Sequence, residues 1–243
     1  MQKSKRGLGR VLDALEKHYG LQTAAGPKDP YEMILFVNCG YPATDASCSK
    51  GYEALRRDVG TKPKKVLEAP KTRLAKLMRL GGIVPELRAE RLKTIAKMVK
   101  EEFGGDLTWS LEKLMQEEKK GAGQGIRLAR KALKEFPVIG EPGADKILLF
   151  AGLAPVAAVP SACPAVPERI LFGEENKNYG AGYRAAREAM EAELPENLAA
   201  RQRAYLLLKR HGQEICKRTN PKCEICPVSA MCEFFLEKRP GNL

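Results

Sequence analysis

Residues 215–232 read ICKRTNPKCEICPVSAMC and set Cys216, Cys223, Cys226 and Cys232 in a C-x6-C-x2-C-x5-C run. A loop this short can bring four thiolates to one centre. Thiolates prefer soft metals, so four Cys with no His suit an iron–sulfur cluster or zinc. A zinc ribbon carries two separated C-x2-C knuckles, whereas here only Cys223 and Cys226 form such a pair. The lopsided spacing favours [4Fe–4S], with a zinc knot or two disulfides as the plain alternatives.

Upstream of this loop almost every long segment reads as helix, and no stretch sustains the period-two alternation of a strand. The expected fold class is all-α. Leu8, Val11, Leu12, Leu15 and Tyr19 repeat at helical spacing until Gly20 stops them. Further helices are predicted over 29–37, 46–59, two short ones within 64–80 around Pro70, and 85–103. Residues 111–125 read as a short helix followed by a mobile loop, with Trp109 covering a helix junction. Helices over 127–135 and 144–153 flank a tight turn, a proline-rich bend runs from Pro155 to Pro167, and helices over 179–194 and 198–216 lead into the cysteine loop.

The composition sets bounds on function. The chain has 243 residues, 44% of them apolar, enough for one large or two small cores. Its 42 Lys and Arg against 30 Asp and Glu leave a formal charge of +12, which attracts a polyanion. The start shows no signal-type apolar stretch, and the longest apolar run, Ile147 to Val159, is broken by Pro155. A cytoplasmic protein without a membrane partner is expected. Cys39, Cys48 and Cys163 lack pairing logic and read as buried small residues in a reducing compartment.

The segment FPVIGEPGADKILLF, residues 136–150, reads as two helices joined by a glycine-containing hairpin. Such a hairpin turns backbone N–H groups and a helix start toward one phosphate. Together with the cysteine loop, its charged insert and Pro227, it resembles the endonuclease III and adenine-glycosylase branch of the helix-hairpin-helix DNA glycosylases. Phe136, Pro137, Ile139, Gly140 and Ala144 fit the family's hairpin, and Ala43-Thr44-Asp45 fits its first helices. Val138 stands where a hairpin Gly is expected, and Glu141 where the family is often basic. The resemblance spans nearly the whole chain apart from an extra segment around Thr108 to Arg127.

The resemblance implies a two-lobed protein with DNA lying across the cleft. A six-helix barrel domain over 31–153 would end in the hairpin, and residues 1–30 with 154–243 would form an iron–sulfur cluster domain. It also implies a [4Fe–4S] cofactor on the four C-terminal cysteines. The partner would be double-stranded DNA, including damaged or abasic duplexes, bound by a monomer. The DNA-contacting residues implied are Ile139, Gly140 and Gly143 of the hairpin, Lys217, Arg218 and Lys222 of the cysteine loop, and Tyr41 as an aromatic wedge or stacking platform.

In the family a Lys after the hairpin attacks C1′ and forms a Schiff base, and a later Asp assists it. A gapless overlay puts Pro142 at the Lys position and Pro160 at the Asp position. Neither proline has a group for that chemistry. Lys146 lies one helical turn past Pro142, with Asp145 beside it, and these two are the candidate replacements. The competing role for Lys146 is a packed stem whose ammonium meets a phosphate.

The reading is therefore a DNA-binding iron–sulfur protein of the endonuclease III-like base-excision-repair superfamily with an atypical or missing catalytic pair. Two alternatives stand beside it. One is an active DNA N-glycosylase, with or without lyase activity, using relocated residues; the other is a structure-specific nucleic-acid binder outside repair.

Overall fold

The computed structural model of the chain describes residues 7–117, 123–161 and 163–237, and these are all-helical, with no strand among them. Two units emerge. One joins the residues up to Ala24 to those from Ala154 onward, and the other runs from Ala25 to Leu153. The first boundary lies in the loop before the second helix, several residues ahead of the break expected at residue 30.

Among its described residues the Ala25–Leu153 unit holds eight α-helices: α2 (Pro30–Asn38), α3 (Asp45–Asp58), α4 (Pro63–Glu68), α5 (Lys71–Met78), α6 (Pro85–Glu102), α7 (Leu107–Met115), α8 (Gln124–Lys134) and α9 (Glu141–Phe150). Pro70 separates α4 from α5, as the sequence predicts, and the extra segment supplies α7. Side chains set several starts: Asp29 accepts from the Glu32 N–H, Thr44 from the Ser47 N–H and Asp106 from the Trp109 N–H. Each satisfies a first-turn donor that the helix cannot, contributing roughly 1 kcal/mol. The Asp106 cap also moves the start of α7 ahead of the expected residue 111. Trp109 does not cover a junction: it is 59% exposed, with Lys113 over its ring. The loop expected after this helix falls partly on residues 118–122, outside the described residues.

The other unit comprises α1 (Leu8–Tyr19), α10 (Ala165–Phe172), α11 (Tyr179–Glu193), α12 (Leu198–Glu214) and α13 (Glu233–Glu237). Leu8, Val11, Leu12 and Leu15 of α1 are buried in one core with Tyr183, Ala186 and Met190 of α11 and Ala204, Leu207 and Leu208 of α12. Burial of each large aliphatic stabilises by about 1.5–3 kcal/mol, enough to hold the N-terminal helix on the C-terminal third. Arg203 reinforces this seam through Asp13 and Glu16.

α10 occupies part of what the sequence predicts as a bend through Pro167. Pro164 is its N-cap and Pro167 lies in its first turn, where a missing N–H costs no intrahelical bond. Cys39, Cys48 and Cys163 are buried, as expected of small core residues.

Candidate functional site

The four C-terminal cysteines rim one cavity. Cys216 follows α12, Cys223 opens a one-turn 3-10 helix (Cys223–Ile225), and Cys226 and Cys232 end the two one-turn helices of the loop. Ile170, Phe234 and Phe235 complete the apolar wall, and the atom-free space is about 340 Å³, part of it open to solvent. No disulfide joins any of the seven cysteines, so none competes for these sulfurs. A single zinc would draw every sulfur to about 2.3 Å from its centre. A cavity walled by four sulfurs fits a polynuclear cluster better, and these four cysteines are the residues that would hold it.

The thiols are buried well enough to resist ionising alone. Burial raises Cys216 and Cys232 and pushes Cys226 up to about 11, with neighbouring cysteine charges adding to the effect. Four thiolates here require a cation to offset them, so metal loading must release protons. Between residues 216 and 232 only Val228 and Cys232 are buried. The loop has almost no apolar core of its own, and metal bonds would supply its order.

Two side chains face the sulfurs. Arg169 of α10, 3% exposed, donates from Nη1 to Cys216 Sγ at 3.6 Å and to the Lys217 carbonyl at 2.8 Å, and from Nη2 to the Arg218 carbonyl at 2.9 Å. It also pairs with Glu175 and sits over the Phe234 ring. His211 of α12 is fully buried, its Nε2 3.6 Å from Cys226 Sγ and its Nδ1 3.0 Å from Tyr19 Oη. Burial presses His211 down to about 4. The expected basic residues Lys217, Arg218 and Lys222 are all exposed, and the carbonyl contacts of Arg169 fix the backbone of the first two.

The hairpin is the second feature. Val138 has φ 69, the left-handed region that the family's glycine enters freely and that crowds a β-branched side chain. Asn38 of α2 donates to the Pro137 carbonyl at 3.0 Å, and Phe136 stacks on Phe103. Gly140 is the exposed N-cap of α9, and Gly143 is half-buried in its first turn. Ile139 differs from expectation: its side chain is 5% exposed and its N–H closes a turn on the Phe136 carbonyl, so it supports the hairpin from within. α9 starts at Glu141, not at residue 144, because Pro142 suits a first helical turn.

The two catalytic candidates separate. Asp145 is fully buried, its Oδ1 held by Arg130 Nε at 2.6 Å, so its carboxylate is withdrawn from solvent. Lys146 is half-buried on α9. Pro142 stands in the first turn of α9, and Pro160 is buried.

A third feature was not legible in the sequence. Tyr41 is 47% exposed, and near it Leu80, Ile83, Val84 and Leu87 are also exposed, Ile83 by 76%. Gly81 packs so closely on the Cys39 carbonyl that a Cβ there would lie 1.7 Å from it, which sets the two loops side by side. Arg88, 1% exposed, ties them by donating to the Ile83 carbonyl at 2.8 Å and the Asn38 carbonyl at 3.4 Å. The available signal was Ile-Val between a glycine pair and a proline, apolar residues in a loop.

Comparison with known proteins bears on the cysteine loop and on the fold. Residues 216–232, which begin and end on the outer two cysteines, match the iron–sulfur binding domain of endonuclease III. Endonuclease III of Thermotoga maritima is 23% identical over 215 residues, covering 88% of each chain. The thymine/uracil-DNA glycosylase of Methanothermobacter thermautotrophicus is 27% identical over 172 residues, 70% of this chain and 66% of that protein. Among solved structures, a non-covalent endonuclease III–DNA complex superposes with a TM-score of 0.73 at 17% identity, covering 98% of this chain and 99% of the other. A thermostable thymine-DNA glycosylase gives 0.72 at 22% identity, with 94% and 96% covered.

Proposed function

This chain belongs to the endonuclease III-like helix-hairpin-helix DNA glycosylase superfamily, and on that premise we propose that it binds duplex DNA through a scaffold whose usual catalytic pair is missing. It carries the [4Fe–4S] cofactor of the endonuclease III domain. When bound, the cluster supplies a rigid anchor for the loop bearing Lys217, Arg218 and Lys222.

Phosphate contact falls to these three exposed cations and to the N-terminal end of α9, which Gly140 caps without a side chain. Tyr41, Ile83 and Val84 form an exposed apolar edge of the kind that enters a base step and unstacks it. These contacts read shape and backbone, so binding is largely indifferent to sequence.

The observation that carries the reading is Pro142 in the first turn of α9. An imine needs a primary amine, and the nearby carboxylate, Asp145, is occupied by Arg130. The similarity to a thymine/uracil-DNA glycosylase favours a second reading, in which base excision proceeds without that amine.

The test is titration of the purified protein onto fluorescent intact, mismatched and abasic duplexes, with base release and strand incision followed in parallel. Binding without release or incision is the expected result. Release of a base from any duplex would replace it with the second reading.

A further inference from the structure

Tyr19 comes from the first helix and His211 from the twelfth, yet they form a hydrogen-bonded chain that ends at a cluster ligand. Tyr19 Oη is 3.0 Å from His211 Nδ1, and His211 Nε2 is 3.6 Å from Cys226 Sγ. A neutral imidazole has one N–H and one bare nitrogen, so the role of Nδ1 fixes that of Nε2. If the phenol donates to Nδ1, Nε2 carries the proton and donates toward the sulfur. If the phenol accepts instead, the Nε2 lone pair faces the sulfur. A metal-bound cysteine is a thiolate and accepts only, so the first arrangement is the one that satisfies both contacts of the ring. The phenol is kept as a donor: burial, and then the nearby Glu214 charge, raise Tyr19 above the usual tyrosine range.

We propose that Tyr19 is a positioning residue for the cluster: by donating to His211 it locks the tautomer whose N–H points at Cys226 Sγ, and so raises the cluster's reduction potential. An N–H directed at a ligand sulfur favours the more electron-rich state. Arg169 makes the corresponding contact at Cys216, but it also holds the Lys217 and Arg218 carbonyls, so its removal would move the loop as well. The Tyr19 hydroxyl meets His211 and not a sulfur, and Phe in its place keeps the ring that packs beside His18.

The inference rests on Cys216, Cys223, Cys226 and Cys232 holding the cluster, and iron analysis of the wild type tests that separately. Protein-film voltammetry then compares wild type, Tyr19→Phe, His211→Gln and the double variant, each checked for iron content and helicity. A glutamine amide can donate to the sulfur without help from the phenol, so it removes the tautomer choice. Tyr19→Phe should keep its iron and shift the potential negative, and in the His211→Gln background the same change should have no effect. An unchanged potential in Tyr19→Phe, a shift that persists in the double variant, or loss of iron from Tyr19→Phe with helicity kept would each overturn the relay. If His211→Gln does not retain iron, the presence and sign of the shift in Tyr19→Phe decide.

Discussion

Arg130 Nε stands 2.6 Å from Asp145 Oδ1 and joins α8 to α9 across the hairpin that connects them, with Asp145 withdrawn entirely from solvent. Removing one partner of such a pair leaves an uncompensated charge in the interior. Arg130→Ala should therefore cost about 3 kcal/mol of stability, less than a wholly buried pair can cost because Arg130 keeps some solvent access. Urea unfolding followed by circular dichroism measures it. A midpoint equal to that of the wild type would mean that Asp145 finds its stability elsewhere.

Val138 offers the opposite change. At φ 69 a β-branched residue carries about 1–2 kcal/mol of backbone strain. Glycine removes that strain but adds roughly 0.5–1 kcal/mol of unfolded-state entropy, so Val138→Gly should be neutral to slightly stabilising. The freed hairpin should also bind duplex DNA more tightly, as read by fluorescence anisotropy.

The basic loop should govern the salt dependence of binding. Each phosphate neutralised contributes about 0.9 to the log–log slope on duplex DNA. Lys217, Arg218 and Lys222 changed together to Ala should weaken binding across sequences and flatten that slope by up to about three. A slope that does not change would take the loop out of the interface.

Metal analysis should return about four irons per chain and a brown chromophore. Because only Val228 and Cys232 are buried between residues 216 and 232, iron chelation or Cys223→Ser should leave this loop open to protease. Fragments cut first within α2–α9 would contradict that order of events.

What the sequence disclosed follows the range of the interactions involved. The cysteine run was legible because the candidate ligands lie within one short loop, and α1 because its apolar residues recur on one face. α10 is hidden because Pro164 and Pro167 read as breakers, whereas a proline at the N-cap or in the first turn gives up no intrahelical bond. The contacts around the cluster cavity join positions far apart in the chain, Tyr19 to His211 and Arg169 to Cys216, and no local pattern encodes them. Ile83 and Val84 were overlooked for the reverse reason: apolar residues beside a glycine pair look like a plain chain break until their exposure is seen.

The sharpest expectation concerns the missing amine. Borohydride in the presence of an abasic duplex fixes any lysine that has attacked C1′, so wild-type protein should yield no covalent adduct. An adduct that disappears in Lys146→Ala would show that the nucleophile has moved one turn along α9. Pro142→Lys probes the same position by gain. Pro142 sits in the first turn of α9, where a lysine keeps helical geometry and adds an N–H at an anion-binding end. If Pro142 occupies the lost nucleophile's place, this variant should become trappable on abasic DNA, and Pro160→Asp added to it should raise the yield. The first change is the better test, because Pro160 is buried and a carboxylate there must be accommodated in the interior. A Pro142→Lys protein that binds abasic DNA as the wild type does yet is never trapped would show that reach to C1′, and not only the amine, has been lost from this hairpin.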